Sequence, residues 1–138
     1  MELDGIRLIY THGPRDPAAI SPDNWNMDFR FLDRPKARQV QMELLYNDRN
    51  NVPLHPQWQA DLRARQPRTL IFWGQQDWFF SPEGGEASLA DLPGVEMDRL
   101  DSGHFAVEDQ LEAIASGIVR FYNARVAPEP IAGMSRSR

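Results

Sequence analysis

"TLIFWGQQDWFF", residues 69–80, is the stretch on which the reading of this chain turns. Residues 69–73 are an unbroken run of apolar and β-favouring side chains, the pattern of a strand covered on both faces in a parallel sheet. Gly74 ends the run, and three residues later Asp77 stands beside Trp78, Phe79 and Phe80. A carboxylate among aromatic rings is costly to bury without a partner. A candidate partner lies downstream, His104 in "LDSGHFAVED", residues 100–109.

The intervening sequence says how the two could meet. Ser81 and Pro82 suit the cap and first residue of a helix running to Leu92, Pro93 and Gly94 make a turn, and "VEMDRL", residues 95–100, reads as a second strand. After His104, Val107, Leu111, Ile114, Ala115, Ile118 and Phe121 recur at helical spacing on one face, with Glu108 and Asp109 as a solvated, dipole-matched helix start. Strand, helix, strand, helix implies a right-handed parallel crossover. Such a crossover releases both strand ends on one edge of the sheet, where open α/β sheets place their sites. Asp77 follows the first strand and His104 the second, and neighbouring strands lie about 4.8 Å apart. The separation of 27 residues (104 − 77) is what one strand, one helix and two turns consume. A carboxylate against imidazole Nδ1 fixes the tautomer and stabilises the imidazolium, the orienting half of a catalytic triad.

Ahead of this unit the chain looks irregular and mostly helical. "GIRLIYT", residues 5–11, is the exception, because Ile6, Leu8 and Tyr10 alternate as a strand would. "DPAAISPDNWN", residues 16–26, has the composition of a loop. Pro35 opens a helix through Tyr46 on Val40, Leu44 and Leu45, and Pro56 starts another in "HPQWQADLRARQ", residues 55–66, with Trp58 and Leu62 facing inward. "VAPEPIAGMSRSR", residues 126–138, reads as a disordered tail. The organisation expected is a helical segment over 1–65, a strand-helix-strand-helix core over 66–125, and the tail.

Composition narrows the function classes. A chain of 138 residues bounds one small domain or a piece of a larger one. A net charge of −5, with no basic stretch interleaved with aromatics, argues against nucleic acid as a partner. The absence of cysteine removes disulfides, thiolate catalysis and Cys-ligated metals. His12 and His55 have no acids at ligand spacing, so neither metal nor cofactor is expected. Without a basic and apolar leader or an apolar run of about 20 residues, a soluble cytoplasmic location away from membranes is the expectation.

"WGQQD", residues 73–77, followed by "LPGVEMDRLDSGHFAVED", residues 92–109, resembles the last two strand and helix units of the α/β-hydrolase fold, close to the branch of epoxide hydrolases and haloalkane dehalogenases. "QMELLYNDRNNVPLHPQWQADLRARQPRTLIFWG", residues 41–74, resembles the end of the helical cap of that branch and its return to the core. The likeness runs from about Tyr10 to Phe121. It implies an α/β class with a partial α/β-hydrolase fold, parallel strands with flanking helices plus a helical cap-like N-terminal segment. It also implies Asp77 as orienting acid, His104 as general base, and a small apolar ester, epoxide or halide as substrate. Trp78, Phe79 and Phe105 are candidates to wall an apolar pocket, and Tyr46 is the candidate cap tyrosine that would polarise a substrate oxygen.

A complete member of that family carries its nucleophile upstream on a G-x-S-x-G turn or an Asp equivalent. Here Ser21, Ser81, Ser88, Ser102 and Ser116 all lack the elbow glycines. Asp77 with Trp78 resembles the D-W of an epoxide-hydrolase nucleophile elbow, but the acid would then have to come from a single crossover. "THG", residues 11–13, resembles an H-G oxyanion loop, yet it precedes cap-like sequence and suits a role in the cap. The expectation is a chain that supplies acid and base only and is inactive alone. It should pair with a missing N-terminal half or with a second copy of itself. The competing reading is a non-catalytic remnant or interaction module.

Overall fold

The computed structural model describes residues 2–126. The chain runs α1 (Leu3–Thr11), α2 (Pro22–Leu32), α3 (Ala37–Asn47), α4 (His55–Arg65), β1 (Leu70–Gly74), α5 (Pro82–Asp91), β2 (Glu96–Leu100), α6 (Ala106–Asp109) and α7 (Leu111–Phe121), then a π-helical turn, Tyr122–Val126. The tail expected from residue 126 therefore begins, at Val126, inside a helical turn, and the rest of it lies outside the described residues.

The apolar run after Thr69 forms β1, and it pairs in parallel with β2, Leu70 opposite Glu96 and Gly74 opposite Leu100. Successive strand side chains point to opposite faces, so Phe72 and Trp73 reach different helices. A Cβ added at Gly85 of α5 would fall 2.5 Å from the Trp73 ring, and one at Gly117 of α7 would fall 2.6 Å from Phe72. Each ring sits in a notch that only a glycine leaves open, and the two notches place a helix on either face of β1. The class is mixed α/β, mostly helical, with a small two-stranded parallel sheet among the described residues. Asp98 and Glu96 of β2 accept from Arg120 and Arg125, both at 2.9 Å, which pins the end of α7 and the turn after it to the sheet. Arg63 of α4 pairs with the buried Asp91 of α5.

Four local expectations need correction. "GIRLIYT" is part of helix α1, not a strand: Leu3, Ile6 and Tyr10 fall on one helical face, Ile6 and Tyr10 are buried, and Leu8 is 49% exposed. Three alternating residues are too short a pattern to outweigh a helical one that starts at Leu3. "DPAAISPDNWN" is only half loop. Asp16 caps a short 3-10 turn at Pro17–Ala19, and Ser21 accepts from Asp23 N to cap α2, with Pro22 as its first residue. Trp58 and Leu62 of α4, expected inward, are 45% and 37% exposed, and Val40, Leu44 and Leu45 of α3 are exposed as well. Finally, the helix after His104 breaks at Gln110 into α6 and α7. Its inward positions are Ile114, Gly117 and Phe121, while Val107, Leu111 and Ile118 are exposed. The face is turned because Gly117, which carries no apolar signal, must meet Phe72.

The best-packed core lies beside the sheet. Ile6, Tyr10, Ile20 and Trp25 are buried together, with Phe29, Leu32 and Phe105 against them. Phe105 follows His104 in sequence, so this core joins α1 and α2 to the loop after β2.

Candidate functional site

β1 and β2 end level, and their pairing continues into the loops: Gln75 N donates to Leu100 O at 2.9 Å and Gln76 N to Ser102 O at 3.0 Å. Three glycines let the backbones come this close. A Cβ on Gly74 would lie 2.2 Å from the Gly103 carbonyl oxygen, and one on Gly103 would lie 2.3 Å from the His12 carbonyl oxygen. Gly13, at φ 98°, would place a Cβ 2.7 Å from Gln76 O. The end of α1, the end of β1 and the end of β2 thus meet at one point, which is where "THG" lies.

Asp77 is buried at this point and divides its two oxygens. Oδ1 accepts from the backbone N–H of Phe79 at 2.8 Å and of Phe80 at 3.0 Å, and Oδ2 lies 3.0 Å from His104 Nδ1. The turn-type satisfaction usual for an aspartate after a strand and the pairing with an imidazole coexist, one on each oxygen. With a carboxylate acceptor against Nδ1, that nitrogen carries the proton, and Nε2 presents the lone pair. The imidazole is walled by Phe79, Phe80 and Phe105, whose ring centroids lie 5.2, 5.4 and 4.9 Å from it, and the side chain keeps 20% of its surface open. Chemically, this arrangement can act as a base with an orienting acid in a partly dry setting. No hydrogen bond within residues 2–126 joins a serine to His104.

A second carboxylate holds the loop that precedes His104. Ser102 is fully buried and donates to Asp109 Oδ1 at 2.5 Å, while Asp109 Oδ2 is buried and has no hydrogen-bond partner among the described residues. Asp109 is therefore not the solvated helix-start residue that its sequence suggests. It holds the loop that carries His104. Glu108 is exposed and accepts from Asn24 Nδ2 at 2.7 Å, a tie between α6 and α2.

Phe79 and Phe105 have a second role, because both line a cavity of about 420 Å³ together with residues of α1, α2 and α3. Ile6, Ile9, Phe31, Leu32 and Leu45 make its apolar wall, and Tyr10, Asp28 and Gln41 supply its polar atoms. Trp78 is not in that wall. It is half exposed and packs edge-on against His12 and Phe79. Tyr46 is also elsewhere, 64% exposed on α3, with its hydroxyl accepting from Arg49 and the guanidinium over its ring. The tyrosine at the cavity is Tyr10. It stacks on Phe105 at 4.1 Å and 14°, and its hydroxyl donates to Asp28 Oδ2 at 2.7 Å. Burial, then the hydrogen bond to Asp28, then the charges of Asp28 and Glu108 push the Tyr10 phenol well above its ordinary value. Asp28 sits in "NMDFRF", residues 26–31, which carries no motif. The strand reading of residues 5–11 also hid Tyr10; the i, i+4 pair Ile6 and Tyr10 was the signal that would have exposed it.

Among the described residues no three His, Asp or Glu side chains gather as a metal site, and no helix is long and apolar enough to cross a membrane. His55 lies against Trp58 on α4, away from the site.

No protein-family model matches the chain, and no solved structure matches it. Over 104 residues, 75% of its length, it is 31% identical to a protein of Saccharomyces cerevisiae named "Uncharacterized hydrolase YNR064C". The chain spans 36% of that relative's length. At this identity and coverage the comparison supports a relationship to a hydrolase.

Proposed function

We propose that this chain is the acid-and-base portion of a hydrolase of the α/β-hydrolase type, in the branch of epoxide hydrolases and haloalkane dehalogenases. The observation that carries the reading is the Asp77 carboxylate, with one oxygen fixed by the Phe79 and Phe80 amides and the other on His104 Nδ1 at 3.0 Å. Residues 66–125 supply the parallel strand pair that holds both loops, and residues 1–65 supply part of a helical cap. In the assembled enzyme, His104 Nε2 takes a proton from a nucleophilic hydroxyl, or from the water that opens a covalent ester intermediate, and returns it to the departing oxygen. Asp77 holds the ring and offsets the imidazolium charge throughout. The nucleophile belongs to the remaining part of the enzyme. A relative of which this chain covers 36% has room for the missing strands and their nucleophile turn. The substrate is a small apolar ester, epoxide or halide.

Nitrogen-15 spectra of His104 test the assignment. Above neutral pH the neutral ring is expected as the Nδ1–H tautomer, with Asp77→Asn populating the Nε2–H form. A wild-type ring in the Nε2–H form would sink the assignment. In a p-nitrophenyl acetate assay, the chain alone is expected to match its His104→Ala variant beyond the background of a free imidazole. Saturable turnover lost in His104→Ala would mean that a nucleophile lies within these 138 residues.

A further inference from the structure

The cavity beside the base has a composition that selects among substrates. Its volume of about 420 Å³ lies within the roughly 300–1,000 Å³ usual for small-molecule sites. Its wall is aliphatic and aromatic except for Tyr10, Asp28 and Gln41, and it contains no basic side chain. The Tyr10 hydroxyl spends its proton on Asp28, so this cavity-lining pair has only acceptor lone pairs left to offer. Within residues 2–126 the Asp28 carboxylate meets that hydroxyl and no Arg or Lys. Glu108 adds negative potential, since its charge acts on Tyr10. Gln41 can turn its amide oxygen the same way. A pole that carries net negative charge, with Gln41 as its one amide donor and an apolar wall around it, repels carboxylates and favours a cationic donor.

From this we infer that the cavity takes an apolar ligand ending in a protonated amine, the ammonium on Asp28 and Tyr10 and the apolar body against Ile6, Ile9 and Leu32. The inference rests on the hydrolase reading for its direction. Phe79 and Phe105 line the cavity and also flank the His104 imidazole, so the hydrolysable group lies against those two rings. The substrate class is then an amine-bearing apolar ester, epoxide or halide. The recognition itself needs only the cavity.

The test uses the full chain and three probes that share a phenylethyl body, 2-phenylethylammonium, 2-phenylethanol and 3-phenylpropanoate, titrated at pH 7 with amide chemical shifts as the readout. One charge-assisted hydrogen bond in a partly buried site should favour the ammonium about tenfold over the alcohol and more over the carboxylate. Asp28→Asn keeps an acceptor for Tyr10 and should bring the ammonium to within about twofold of the alcohol. Tyr10→Phe, which keeps the stack on Phe105, should weaken the ammonium without restoring the carboxylate. His104→Ala should leave the preference intact. If His104 shows the wrong tautomer while the preference stands, the base assignment falls and the cavity assignment survives. Equal affinity for the three probes, a preference that ignores Asp28→Asn, or no binding of any probe to chain with dispersed amide spectra would overturn the inference.

Discussion

At the scale of single residues, the site depends on carboxylates whose neighbours decide their roles. Asp77 was legible because a strand-forming run stops at Gly74 and an acid among rings needs a partner. His104 was legible because the second strand ends just before it. Asp28 and Asp109 were not, since each is defined by contacts across the fold, Asp28 with Tyr10 and Asp109 with Ser102. The Tyr10–Asp28 pair gives a pH prediction. The folded-state value of Tyr10 is raised above that of a free phenol, so its neutral form is the one the fold favours. The stability it contributes is fully present below about pH 10 and is lost as pH rises toward the raised value. Tyr10→Phe should cost about 1–2 kcal/mol at pH 8 through the lost hydrogen bond to a carboxylate. The gap to wild type should shrink steadily between about pH 10 and pH 12. Urea midpoints across that range measure it; a gap that stays constant would show that the hydroxyl does not titrate as part of the fold.

At the scale of elements, β1 was legible from its unbroken apolar run, and α5 and β2 from the start signal at Ser81 and Pro82 and the turn at Pro93 and Gly94. Elements were misread where the pattern was three residues long, as in α1, or where the contact surface was a glycine, as on α7. The adjacent glycines of α5 separate helix propensity from packing. Gly84 would place a Cβ 4.0 Å from Trp73, ordinary contact, whereas Gly85 would place one 2.5 Å from a ring whose Nε1 is held on Phe80 O at 3.2 Å. Gly84→Ala should therefore stabilise by roughly 0.5–1 kcal/mol, the propensity gain alone. In Gly85→Ala the same gain meets an overpacking cost of roughly 1–3 kcal/mol, for a net loss of about 1 kcal/mol. Opposite shifts in denaturation midpoint are expected, and a stabilising Gly85→Ala would mean that Trp73 is free to move.

At the scale of the whole molecule, the described residues leave much apolar surface in water. The sheet has two strands, so β1 offers an unpaired edge beyond β2. Leu111, Ile118 and Val119 on α7 are at least half exposed, and so are Val40, Leu44 and Leu45 on α3. An unpaired strand edge and exposed apolar side chains on two helices favour association. The purified chain should therefore melt at a temperature that depends on concentration over a tenfold range, or bind a hydrophobic dye while still folded. A monodisperse monomer with a cooperative, concentration-independent melt would show that residues 1–138 satisfy themselves.

Gly13 meets Gly103 across 90 residues of chain (103 − 13), whereas β1 and β2 pair across 26 (96 − 70). Loop-closure entropy grows with the logarithm of that span, so the longer closure costs about 1 kcal/mol more. The chain can therefore bring Asp77 to His104 early, through neighbouring strands, and seal the cavity only when α1 arrives. The order reverses in the native state. An excursion that detaches α1 opens the cavity wall while the strand pair still holds Asp77 against His104, so access to the cavity need not separate the two.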